Sequence, residues 1–184
     1  MIKDSVRIQG VVERRLFDAN GNVKKQFKDN FIWKFLKKKF NLDLQINFIT
    51  GYWTTKAIKC NTVTTRGKQI CADQLGGLAT SPVTAIAIGV GTGGTTALNS
   101  EITTYGGSRG AADTISHQTT TTTYDTCRWV KTFTFTTGAS FAITEEGLFD
   151  NNTSGGNMLA YQTFSAVNVV SGDALQITHS VKFS

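Results

Sequence analysis

Gly89-Val90-Gly91-Thr92-Gly93-Gly94 directly follows an apolar run and matches the G-x-G-x-x-G spacing of loops that cradle phosphates with backbone N–H groups. That chemistry needs a full helix after the loop and then a second strand ending in an acidic residue. The segment that follows, TTALNSEITTYGG, is too short and too rich in threonine for this. The simpler expectation is a glycine loop joining two strands. Glu145-Glu146 could serve as an acid–base pair if both carboxylates lined one cleft. Neighbours on a strand point to opposite faces, so the two cannot share a side. One is expected to face solvent and the other to hold a turn.

The histidines are His117 and His179, too few for a histidine-rich metal site. His179 falls on the apolar face of the last strand and reads as a core histidine with a satisfied ring nitrogen. His117 lies near Asp113 and Asp125, which leaves a Ser/His/Asp or Cys/His grouping open, but no nucleophile-elbow motif supports one. Asp150, Asn151, Asn152 and Asp173 offer oxygen ligands to calcium without the regular spacing of a calcium hand. Cys60, Cys71 and Cys127 are odd in number and widely spaced, so they form neither a disulfide framework nor a C-x-x-C site. They read as reduced, packed thiols. No catalytic, cofactor-binding or metal-binding residue is predicted, and the chain is expected not to be an enzyme.

The elements that would carry these residues are strands. Arg128–Thr136 alternates, with Trp129, Lys131, Phe133 and Phe135 on one face. Ala174–Phe183 repeats the pattern with Leu175, Ile177, His179, Val181 and Phe183. Asp18-Ala19-Asn20-Gly21 marks a hairpin between Ser5–Phe17 and Val23–Phe27. Thr64–Leu75 reads as a short helix stopped by Gly76-Gly77, with Ile70, Cys71, Leu75 and Leu78 toward the core. Residues 97–102 read as one helical turn. Ile115–Tyr124, with its five threonines, reads as a strand. Phe141–Phe149, Met158–Phe164 and Val167–Val170 supply more. The predicted fold is mainly β, an antiparallel, jelly-roll-like β-sandwich with one or two short helices. It forms a single domain over residues 1–184.

Residues 31–58 stand apart as a basic, aromatic insertion. Phe31–Phe40 has helical spacing and Asn41–Phe48 alternates as a strand. Phe31, Trp33, Phe35, Tyr52 and Trp53 are candidate interface anchors, with Lys37, Lys38 and Lys39 facing acidic neighbours. The charge is uneven: residues 1–70 carry 15 Lys+Arg against 5 Asp+Glu, whereas residues 71–184 carry 4 against 8. This points to an acidic partner surface, to nucleic acid or to head-to-tail contacts between copies. Docking of the insertion on a protein surface is favoured over nucleic-acid or membrane binding. The polar start and the lack of a long apolar run predict neither a secretory signal nor a membrane span.

The order of the motifs resembles a family of small β-sandwich proteins of tailed-bacteriophage particles. The matching pieces are the D-x-N-G turn at Asp18–Gly21, N-x-V-T-x-x-G at Asn61–Gly67 and the strand into G-x-G-T at Ile86–Thr92. They continue with T-x-L-x-x-E-I at Thr96–Ile102, an aromatic/Thr strand at Thr132–Thr136 and E-x-G-L-F at Glu145–Phe149. Met158–Ala160 and S-G-D-x-L-x-I at Ser171–Ile177 complete them. The resemblance covers nearly the whole chain outside residues 31–58. It implies a virion structural protein of the tail, baseplate or fibre, made in the host bacterial cytoplasm and assembling with itself and other virion proteins. Head decoration of the capsid is the alternative location. A carbohydrate-binding module meeting a host-surface glycan is the alternative role.

Overall fold

The computed structural model describes residues 7–29, 51–78 and 81–184. Twelve strands and one helix are found among them. They are β1 (Ile8–Phe17), β2 (Gln26–Asp29), β3 (Gly51–Thr54), β4 (Ala57–Cys60), β5 (Thr62–Val63), α1 (Thr65–Leu75), β6 (Ala85–Gly89), β7 (Gly110–Ala111), β8 (Thr114–Gln118), β9 (Thr126–Thr134), β10 (Ser140–Phe149), β11 (Met158–Val170) and β12 (Ala174–Phe183). Two five-stranded antiparallel sheets form a β-sandwich, with orders β4-β1-β12-β9-β8 and β5-β11-β10-β6-β7.

Alternation explains the layers. Val12 and Leu16 of β1, Trp129 and Phe133 of β9, and Leu175, Ile177 and Val181 of β12 form one inner face. It meets Ile86, Ile88, Ile143, Leu148, Phe164 and Val167 of the other sheet. Burying each large side chain contributes about 1.5–3 kcal/mol. Trp129 satisfies its indole N–H on the Val83 carbonyl at 2.8 Å. A second cluster, Ala85, Ala87, Leu98, Phe149 and Met158, lies apart from this core.

Helix α1 starts where expected. Thr64 accepts from the Gly67 N–H at 2.7 Å and donates to the Met158 carbonyl. Gly67 must lack a side chain, because a Cβ would overlap the Leu159 carbonyl. Ile70 is buried in the core and Cys71 packs against it, but Leu75 and Leu78 are exposed. The last turn of the helix runs past the core, so its apolar side chains are left at the surface.

Several local readings change. Asp18 caps its turn by accepting from Asn20 and Asn22, but the expected return strand makes only a bridge from Val23 to Phe17. The next residues form β2, whose partner is β3, not β1. Residues 97–102 are not helical; Glu101 bridges to Gly89. Met158–Phe164 and Val167–Val170 are one strand, β11. The threonine run after β8 is a turn. The Asp125 carboxylate offers an acceptor there, and Thr120, Thr121 and Thr122 give it their N–H groups at 3.0, 2.9 and 3.0 Å. The end of the 31–58 segment falls inside the sandwich, since Ala57 and Ile58 pair with Arg14 and Glu13 in β4–β1.

Candidate functional site

Glu145 and Glu146 are adjacent on β10 and point to opposite faces, as strand geometry requires. Neither faces solvent: both are fully buried. A register shift between Ile143 and Glu145 resets the alternation. Ile143, Glu146 and Leu148 then point into the sandwich.

Glu145 explains the glycine loop. Its Oε1 accepts from the N–H groups of Gly91 at 3.2 Å and Ser100 at 2.9 Å. Its Oε2 accepts from Gly93 at 2.8 Å and Asn99 at 3.4 Å. A Cβ on Gly89 or Gly91 would stand 2.5 or 2.6 Å from Oε1. The glycines therefore let the loop close on a carboxylate of its own chain. The N–H groups that would cradle a phosphate are already taken, so the phosphate reading has no ligand-facing donor set here.

Glu146 lies across the core from His179. Its Oε2 is 3.0 Å from His179 Nδ1, and the other ring nitrogen bonds the Asn61 side-chain amide. His179 is thus a buried histidine with both nitrogens satisfied. Gly10 makes room for Asn61, whose side chain fills the place of a Cβ there. Arg14 completes the cluster, stacked 3.7 Å over the Phe164 ring. Burial lowers the Arg14 pKa to about 10, opposed by the charge of Glu146. The Asn–His–Glu order has the form of a proton relay, but it carries no nucleophile; His179 and Glu146 are fully buried and only Asn61 reaches the part-buried rim. Its chemistry is that of a core pin.

Most of the remaining candidates are engaged internally; Cys60 is the exception, exposed on β4 rather than packed. His117 sits opposite Cys127 across β8–β9, and its ring packs 5.7 Å from Tyr124. Burial raises the Cys127 thiol pKa, against a smaller opposing bond from Arg128, so no thiolate is activated. Asp113 accepts from the Thr132 N–H at 2.7 Å. Asp150 binds the Asn157 N–H and side chain at 2.6 and 2.7 Å, and Asn151 accepts from Thr153. Asp173 is held by Lys24 Nζ at 2.6 Å. Among the described residues no three His, Cys, Asp or Glu side chains converge on a metal position.

An open pocket of about 380 Å³ lies between residues 97–109 and 153–156. Arg109 lines it, but its guanidinium is spent. It pairs with Glu101, donates to the Gly155 carbonyl and stacks 3.6 Å over Phe149. Glu101 is the acidic residue of the T-x-L-x-x-E-I motif, whereas Arg109, eight residues on across a glycine turn, carries no motif of its own.

Of the interface candidates, Phe31, Trp33, Phe35, Lys37, Lys38 and Lys39 lie outside the described residues, as do the expected helix and strand over 31–48. Tyr52 and Trp53 are on β3, opposite Lys28 and Phe27 of β2. The β2–β3 ribbon therefore frames residues 30–50 at both ends. No helix among the described residues is long and apolar enough to cross a membrane. In comparison with known proteins, no family model matches the chain, and no curated protein or solved structure is found to be similar.

Proposed function

We propose that this chain is a structural component of a tailed-bacteriophage virion, acting through protein–protein contacts in the tail, baseplate or fibre region. The observation that carries the reading is the fate of its reactive side chains. Seven of the eight Asp and Glu residues after position 70 bind groups of their own chain: Glu101, Asp113, Asp125, Glu145, Glu146, Asp150 and Asp173. The motifs that resemble phage proteins use their polar residues in the same way. Glu145 pins the G-x-G-T loop, Thr64 caps the helix after Asn61, and Asp173 ties the closing strand to Lys24.

This arrangement also bears on charge. The acidic half of the chain engages seven of its eight carboxylates with groups of its own chain, three of them buried, which leaves less free acidic charge to receive a second copy head to tail. The basic segment Lys34–Lys39 then suits an acidic surface on a different virion protein. Phe31, Trp33, Phe35, Tyr52 and Trp53 would supply the apolar anchors of that contact, since aromatic groups dominate interface energetics.

Replacing Trp33 and Phe35 together with alanine tests the reading. The variant should keep the circular dichroism and melting temperature of the parent but be lost from purified particles. Normal incorporation would overturn the role given to these anchors.

A further inference from the structure

Among the described residues each five-stranded sheet has two edges, and three of these four are guarded in recognised ways. Strand β4 carries Lys59, whose Nζ crosses to the Thr163 carbonyl of the other sheet at 2.7 Å, and Lys56 precedes it. Strand β5 has two residues and runs directly into α1, which packs on β11. Strand β7 also has two residues; Arg109 precedes it, and Lys131 Nζ takes its Ala111 carbonyl at 3.2 Å. Strand β8 is less guarded: the charge that precedes it, Asp113, is turned onto the Thr132 N–H of β9. Thr114-Ile115-Ser116-His117-Gln118 has five residues, no proline, no lysine and no carboxylate, and its first four residues are exposed.

The direction of its free backbone groups follows from its neighbours. Phe183 N–H donates to the Asp125 carbonyl, so the odd-numbered residues of β9 face β12. The even-numbered ones face β8, in agreement with Thr132 N–H donating to Asp113. In the register Ser116↔Arg128, Thr114, Ser116 and Gln118 then bond to β9. The N–H and C=O groups of Ile115 and His117 point outward.

We infer that β8 is a pairing edge for a second copy of the chain, joined antiparallel about a two-fold axis at Ser116. The inference rests on the assembly reading, which brings copies together, and it names the contact. In this arrangement Ile115 and His117 of one copy exchange four backbone hydrogen bonds with His117 and Ile115 of the other, and the two five-stranded sheets become one of ten strands. Side-chain chemistry favours a self-match. Ile115 is 48% exposed and Tyr124 is 70% exposed. The pairing sets each Ile115 against the His117–Tyr124 aromatic pair of the opposite copy, and no like charges oppose along the strand. A two-fold interface of this kind is the commonest form of homo-oligomer.

Sedimentation equilibrium of the full chain tests this, with two variants beside the parent. His117→Pro deletes an outward N–H and leaves every β8–β9 bond in place. Ile115→Lys adds a guarding charge at the same edge. The parent should show twice the 20.0 kDa chain mass with rising concentration, and both folded variants should stay monomeric. Amide exchange gives an independent readout: the Ile115 and His117 N–H groups should be protected in the parent and exchange freely in Ile115→Lys. A parent that is monomeric throughout, or a dimer that survives both variants, would overturn the inference. A monomeric chain that still enters particles would sink this edge and spare the assembly reading. A β8-dependent dimer absent from particles would do the reverse.

Discussion

Glu145 and Glu146 are neighbours in the chain and equally buried, yet their surroundings differ in kind. Glu145 binds four backbone N–H groups of a loop, at the surface side of its sheet. Glu146 binds side chains, His179 directly and Arg14 through charge, in the middle of the sandwich. Backbone partners cannot be substituted away, whereas side-chain partners can. A loop can open to water, whereas a core cannot. The two sites therefore fail differently when their carboxylate is removed.

The largest effect is expected in the core. Glu146→Leu should cost about 3–5 kcal/mol in denaturant unfolding, because it strands His179 and Arg14. Adding Arg14→Met and His179→Leu should recover most of that loss, since an apolar trio can replace a buried polar one. If the triple variant were no more stable than Glu146→Leu, the side-chain account of this cluster would be wrong.

Glu145→Ala should cost less overall, about 2–3 kcal/mol, because the freed loop can hydrate. The loss should be local. Amide exchange at Gly91, Gly93, Asn99 and Ser100 should accelerate sharply while the β12 amides keep their protection. Gly91→Ala probes the same cradle from the other side. Its Cβ would lie 2.6 Å from Oε1, and a cost of about 1–3 kcal/mol is expected from thermal unfolding. Unchanged exchange at Ser100 in either variant would break the contrast.

Asp125, like Glu145, is a carboxylate in a backbone cradle, now in a surface turn. Burial works to raise its pKa, but the N–H groups of Thr122, Thr120 and Thr121 and the Thr120 hydroxyl outweigh it and hold it well below the usual carboxylate range. The sign follows: its contribution is complete above about pH 4, the unfolded value, and is lost only as pH falls through the depressed folded value. The turn amides should stay protected at pH 4 and open in stronger acid. An Asp125→Asn variant should show no such acid step.

Much of the fold was legible because alternation is a direct consequence of strand geometry. Phe133, Leu175 and Ile177 stood out as core, and Thr64 and the Gly76-Gly77 stop marked the helix. The errors have physical reasons. The threonine run had strand propensity, but Asp125 offered a competing acceptor. Leu75 and Leu78 kept helical spacing beyond the point where the sandwich ends. The opposite faces of Glu145 and Glu146 were correct, but alternation assumes that one face of a sheet is wet. Here the loop closes over the Glu145 side, and a bulge beside Thr144 turns Glu146 inward. Nothing local in the sequence announces a carboxylate that binds a loop some fifty residues upstream. The glycine spacing was a real signal, and its ligand turned out to be the chain itself.

A cryo-electron microscopy map of intact particles tests the central claim most directly: that this chain works through surfaces while its polar residues hold the fold. The map should show the sandwich at a fixed place in the virion, with residues 31–53 buried against a neighbouring protein. Particles of full composition that lack the chain, or a bound chain whose residues 31–53 touch no neighbouring protein, would contradict the account.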